Sequence, residues 1–227
     1  MTTSSVQIPK LAIFDMDGIL FNTEELFMHI NSKYLKQYGY SPSKENYVKT
    51  LGTKGETLTK ILKEMYGNDY PEQEISDLSH QSMNQYVEEH GLEIKPGIPD
   101  LLKFLKENGT ICMVASSTRY ETVNRYLEMT GLKQFFSNVI GGDMVVNSKP
   151  NPEIFLKAFE SHKDYMSCIS YDEAVIIEDS ENGILAGHAA GIPVICIPDL
   201  VYPNPDIAKI PIAILHSADD VIKFYSK

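Results

Sequence analysis

Asp15 and Asp17 stand two positions apart in LAIFDMDGILFNTEE (residues 11–25), directly after four apolar residues and directly before Gly18. Two carboxylates that close repel each other unless a cation or a shared proton lies between them. A hard divalent ion with oxygen ligands, magnesium above all, would relieve that repulsion, and Gly18 would let the backbone turn tightly or approach a ligand. Aspartates also end strands simply by turning or capping the chain, so DMDG by itself serves either reading.

Three distant segments add chemistry. In ICMVASSTRYE, Ser116 and Ser117 precede Thr118 and Glu121, a capping-box pattern that predicts a helix N-terminus where hydroxyls and backbone donors could meet a phosphate. In NSKPNPEIF, Lys149 precedes a helix start marked by Asn151 and Pro152; alone it reads as a solvated charge. In AVIIEDSENG, Glu178 and Asp179 come straight off four apolar residues, and adjacent acids ending a buried strand need a cation or hydrogen-bond donors nearby.

The elements that must position these residues are legible as two alternating textures. Residues 11–14, 110–115, 138–140, 174–177 and 193–197 are short apolar or β-branched runs, as expected of strands buried on both faces. Between them lie amphipathic segments such as GIPDLLKFLKENG, where Ile98, Leu101, Leu102 and Leu105 recur at helical spacing and Gly109 supplies the stop. That alternation predicts right-handed crossovers and a doubly wound, Rossmann-like α/β core with a parallel sheet. Chemistry in such a sheet occurs at the carboxyl ends of the strands, which is where Asp15, Ser116 and Glu178 fall.

The stretch between the first two strands differs. Leu58, Ile61, Leu62, Met65 and Tyr66 form one helical face, no strand pattern interrupts it, and Gly91, Pro96 and Gly97 mark its end. The expected organisation is an α/β core of residues 1–21 and 95–227 with an inserted α-helical domain at 22–94.

The 227 residues are 43% hydrophobic and 22% charged, enough apolar material for a sizeable core. A net charge of −11 argues against nucleic acid or an anionic membrane as partner. Cys112, Cys168 and Cys196 lie far apart without CxxC pairing, so they read as small buried hydrophobes rather than disulfides or zinc ligands. MTTSSVQIPK lacks a charged segment followed by an apolar one, and no apolar run reaches membrane-spanning length, so the expectation is a cytoplasmic protein, with a monomer as the default.

Taken in order, DxDG, a serine after a strand, a lysine, and an acidic pair after a strand resemble the haloacid dehalogenase superfamily over residues 11 to about 199. The helical insertion resembles the cap of its β-phosphoglucomutase-like branch. The resemblance implies Asp15 as the nucleophile that forms an aspartyl-phosphate, and Asp17 as general acid and base. It implies Ser116 and Lys149 as holders of the transferring phosphoryl group. It also implies a magnesium ion bound by Asp15, the Asp17 carbonyl and Asp179, with Glu178 assisting through water. Ser117, Gly18 and Arg119 would line the phosphate site, and Lys54 in LGTKGE could touch substrate from the cap.

One departure stands out. The family continues DxDG with an aspartate four residues beyond the glycine, where this chain has Asn22; Asn22 with Glu25 reads as a helix N-cap, a position at which Asn serves as well as Asp. The sugar mutases of this branch carry a histidine early in the cap and an arginine in its substrate loop, where this chain has Phe27 and Lys54. His29 is two residues on, about 200° around a helix. The expectation is therefore a phosphatase of a small phosphorylated metabolite, a sugar phosphate or a nucleotide-like phosphomonoester. A β-phosphoglucomutase-type mutase and a non-enzymatic phospho-ligand binder are the alternatives.

Overall fold

The computed structural model describes residues 7–53, 55–165 and 169–226. The chain forms two compact units, one of Met1–Phe21 with Glu93–Lys227 and the other of Asn22–Leu92. The first break falls after residue 21 and the second after residue 92, against the 94 expected from the Gly/Pro signals.

The larger unit is built on six parallel strands: β1 (Leu11–Phe14), β2 (Ile111–Ala115), β3 (Phe136–Ile140), β4 (Ala174–Glu178), β5 (Val194–Cys196) and β6 (Ala213–Ile214), in the order β3-β2-β1-β4-β5-β6. That is the doubly wound arrangement, with its topological switch between β1 and β4. All four residues of β1 are fully buried, which is why LAIF carries no alternation: a central parallel strand has no solvent face. The five strands expected are present, with no end shifted by more than two residues. β6 escaped the sequence because two residues of edge strand carry too little pattern.

The smaller unit holds the first four helices, α1 (Thr23–Gln37), α2 (Lys44–Thr50), α3 (Gly55–Tyr66) and α4 (Glu72–His90). α1 and α4 are joined by Asn31 donating to the buried Ser79 hydroxyl at 3.2 Å. A small core of Leu35, Tyr70 and Ile75 gathers Tyr40, Leu62 and Tyr66 around it. The face expected on α3 exists, but every one of its residues remains half-exposed, so this unit is the more thinly packed of the two.

Five helices complete the larger unit: α5 (Ile98–Glu107), α6 (Tyr120–Met129), α7 (Glu153–Glu160), α8 (Glu181–Ala190) and α9 (Ala218–Tyr225). Ile98, Leu101, Leu102 and Leu105 of α5 are all buried, as their spacing predicts. Ile154 and Phe155 of α7 and Ile184 of α8 pack with Leu11, Ile13, Met113 and Ile176 in one core under the sheet. Cys112 and Cys196 lie within the packed interior; Cys168 falls outside the described residues. No helix among the described residues is long and apolar enough to cross a membrane.

Candidate active site

The site grows out of the ladder. Beyond β1, the Asp15 amide continues the pairing by donating to the Ile177 carbonyl at 2.9 Å, and beyond β2 the Ser116 amide donates to Ile140 at 3.1 Å. Both residues are thus fixed by strand hydrogen bonds at the carboxyl edge of the sheet, and both are buried, Asp15 at 6% and Ser116 at 0% exposure.

Lys149 arrives from the loop before α7. Its ammonium donates to Asp15 Oδ1 at 2.6 Å, to Glu178 Oε1 at 2.7 Å and to the Ala115 carbonyl at 3.2 Å, and it lies 4.6 Å from the centre of the Phe155 ring. Those three bonds use all three N–H donors of the ammonium. Burial alone would push Lys149 down, yet the flanking Asp15 and Glu178 carboxylates raise its pKa above the usual lysine value.

Glu178, 1% exposed, is engaged on both oxygens. Oε1 meets Lys149, while Oε2 accepts from the Asp179 amide at 2.8 Å, the Ser180 amide at 2.8 Å and the Ser180 hydroxyl at 3.0 Å. Burial works against its charge, but Lys149 and those donors hold its pKa below the ordinary glutamate value. Glu178 therefore shapes the turn that presents Asp179 and clamps Lys149, and a side chain at Gly183 would collide with its carboxylate. Asp179 lies against the Gly18 backbone, where any Cβ would overlap its carboxylate; the left-handed φ of 77° at Gly18 excludes a side chain as well.

Asp15 is the under-neutralised member. Burial raises its pKa, Lys149 lowers it, and Glu178 and Asp17 raise it again, leaving it at about 8. Burial is the main cause, and Lys149 only partly offsets it because one ammonium serves two buried carboxylates. Oxygens of Asp15, Glu178 and Asp179 lie within 4.8 Å of one another. The three carboxylates form an all-oxygen donor set that fits a hard ion such as magnesium.

Because folding raises the Asp15 pKa from 3.8 to about 8, its stabilising contribution in the absence of metal is present below about pH 4 and lost as pH rises through about 8. A cation that binds ionised Asp15 should reverse the loss. Thermal melts with and without magnesium are expected to show a larger rise in Tm at pH 8.5 than at pH 5.5, where the ion must first displace a proton. An equal rise at both values would argue against Asp15 as a ligand.

Asp17 meets Thr118 and Ser116, whose hydroxyls donate to its Oδ2 at 2.8 and 3.3 Å. The capping box expected at Thr118 and Glu121 does not form. α6 starts at Tyr120 with Arg119 at the N-cap, no side chain of its own caps it, and the Tyr120 amide instead donates to Asp143 Oδ1 at 2.7 Å. The first amide of that helix is thus taken by a carboxylate from the loop after β3, and the Ser116 and Thr118 hydroxyls are directed to Asp17. Asp143 was missed by the sequence reading; the only signal was the pair Gly141 and Gly142 before it, which lets that loop press on the backbone of Ser117 and Tyr120.

Ser117 and Arg119 are exposed on the same loop. Lys149 is followed as expected by a helix, with Asn151 Oδ1 accepting from the Glu153 amide at 3.0 Å. Lys54 falls outside the described residues. In the helical unit, Asn22 holds the N-cap position of α1 but makes no cap bond: with ψ of 46° rather than extended, its side chain donates to Glu25 Oε2 at 3.0 Å. Phe27 packs on His80, ring centres 4.8 Å apart, while His29 is exposed and turned to the Glu25 carbonyl.

Fold and site define an α/β enzyme of the doubly wound type, with an acidic cluster at the carboxyl edge of its sheet. Residues 12–197 match the haloacid dehalogenase-like hydrolases. The bifunctional riboflavin kinase/FMN phosphatase of Arabidopsis thaliana is 30% identical over 203 residues, covering 88% of this chain and 51% of that one, so the chain spans about half the length of that relative. The phosphorylated carbohydrates phosphatase of Thermotoga maritima is 28% identical over 183 residues, 81% of this chain and 82% of that one. The crystal structure of CbbY from Rhodobacter sphaeroides in complex with phosphate superposes with a TM-score of 0.76 at 25% identity, covering 96% of this chain and 100% of the other. The chain belongs to the haloacid dehalogenase-like hydrolase family.

Proposed function

We propose that this chain is a magnesium-dependent phosphatase of a small phosphorylated metabolite, working through an aspartyl-phosphate on Asp15. The observation that carries the reading is Asp15 itself: a buried strand-end carboxylate, 2.6 Å from the Lys149 ammonium and beside Asp179. A carboxylate that attacks a phosphate dianion must have its own charge offset, and Lys149 does this directly.

In the first step the Asp15 carboxylate attacks phosphorus while the bond to the leaving oxygen breaks, and the Asp17 carboxyl gives its proton to that oxygen. In the second, ionised Asp17 takes a proton from the water that attacks phosphorus. The Asp15–phosphorus bond breaks, orthophosphate departs and both carboxyls return to their starting states. Ser116, freed from Asp17, would hold the transferring phosphoryl group, and Lys149 would reach it by exchanging one of its three bonds. A magnesium ion held by Asp15 and Asp179 would supply the positive charge that stabilises the transferring oxygens.

The helical unit, inserted directly after the DxDG turn, is read as the cap that selects the leaving group. FMN and phosphorylated carbohydrates, the substrates in the relatives' names, set the range of size and polarity to test. The test is inorganic phosphate release from sugar phosphates, nucleotides, FMN and simple phosphomonoesters, with magnesium and with chelator. Magnesium-dependent release from at least one is expected. Conversion of β-glucose 1-phosphate, primed with its 1,6-bisphosphate, to glucose 6-phosphate without release would make the protein a mutase. Silence across the panel would favour a phospho-ligand binder.

A further inference from the structure

We propose that Thr118 is a positioning residue for the general acid, helping to hold the Asp17 carboxylate in its working pose through its hydroxyl hydrogen bond. The inference rests on the phosphatase reading above and assigns a role that DxDG and the serine motif do not contain.

Thr118 is not occupied with its helix. α6 begins two residues later, and the first amide of that helix is taken by Asp143. The Thr118 backbone is pinned on both sides, its amide donating to Ser116 Oγ at 3.0 Å and its carbonyl accepting from the Gly142 amide at 2.8 Å. Gly142 cannot carry a side chain without striking the Ser117 carbonyl, so the loop after β3 sits hard against the Thr118 loop. The hydroxyl, with its one proton, donates to Asp17 Oδ2 at 2.8 Å.

Ser116 donates to the same oxygen at a longer 3.3 Å. When Ser116 turns its hydroxyl toward the transferring phosphoryl group, that bond is lost while the shorter Thr118 bond to Asp17 Oδ2 stays in place. A proton transfer in the transition state requires the acid within hydrogen-bond reach of the leaving oxygen, so freeing the carboxylate to rotate costs rate wherever protonation matters.

Leaving groups separate this role from a merely structural one. An alkyl phosphate needs its departing alkoxide protonated, whereas p-nitrophenyl phosphate releases a stable phenolate with little help. kcat/KM reports steps up to formation of the aspartyl-phosphate, so it isolates the acid step from the later hydrolysis. Thr118→Val is expected to lower kcat/KM for the best alkyl phosphomonoester by roughly 10- to 100-fold, but by only about 2- to 3-fold for p-nitrophenyl phosphate, and Thr118→Ser to recover most of the loss. Retained turnover of p-nitrophenyl phosphate also shows that the variant is folded.

Equal losses on both substrates, in Thr118→Val and Thr118→Ser alike, would overturn the assignment, as would wild-type behaviour of Thr118→Val. If the wild-type protein releases no phosphate from either substrate, it is the phosphatase reading that falls.

Discussion

Asp15→Asn is expected to abolish phosphate release, by at least about 10⁴-fold, while leaving the metal-free protein as stable as the wild type or more so at pH 8. The two halves of the result have one cause. Asparagine keeps the shape and can still accept the Lys149 hydrogen bond, but it cannot attack phosphorus. It also permanently neutralises a group that burial and the neighbouring Glu178 and Asp17 already hold near neutrality, with a pKa of about 8. Phosphate assays under saturating substrate, paired with melts in chelator, measure both. Residual turnover above about 1% of wild type would remove Asp15 from the role of nucleophile; a lowered Tm with turnover lost would show only that the site had collapsed.

Lys149→Met should fail in the opposite manner, losing stability and activity together. The ammonium is nearly inaccessible, at 6% side-chain exposure, and its removal strands Glu178 at 1% and Asp15 at 9% beside each other. Breaking a buried ion pair from one side costs about 3–5 kcal/mol, because the surviving charge has lost both its partner and its water. Chemical denaturation should report a drop of that size, smaller in magnesium, which can take up the Asp15 charge; activity should fall by about 10³-fold or more. Unchanged stability would mean that water or the turn donors alone satisfy Glu178. The comparison with Asp15→Asn is informative because one substitution removes the ammonium from the 2.6 Å contact while the other only neutralises its carboxylate.

The residues of this site were visible in the chain well before their arrangement was. Asp15, Asp17, Glu178 and Asp179 are each marked by position, charged side chains at or just past the ends of apolar runs too short and too buried to leave a charge unaccompanied. The doubly wound sheet was equally legible, because burial on both faces imposes a continuous apolar run on every central strand, and glycine stops mark where each helix must turn back. β6 was not: two half-exposed residues at an edge need little hydrophobic pattern.

Roles depending on who touches whom were decided only in three dimensions. Lys149 looked like a surface charge on its own, and becomes the neutraliser of Asp15 because the α7 loop brings it across the sheet end to residues 134 and 29 positions away. Thr118 looked like a helix cap, and instead serves Asp17, because Asp143 from another loop had already satisfied the helix. Asn22 kept its position and lost its bond, since one backbone ψ decides whether a cap can form. Sequence by itself determined which residues had to be buried and which charges had to be answered, since hydrophobic burial and desolvation act on each residue where it stands. The answer each charge received was left to the tertiary structure, because hydrogen bonds and ion pairs act over about 3 Å and depend on where distant loops happen to meet.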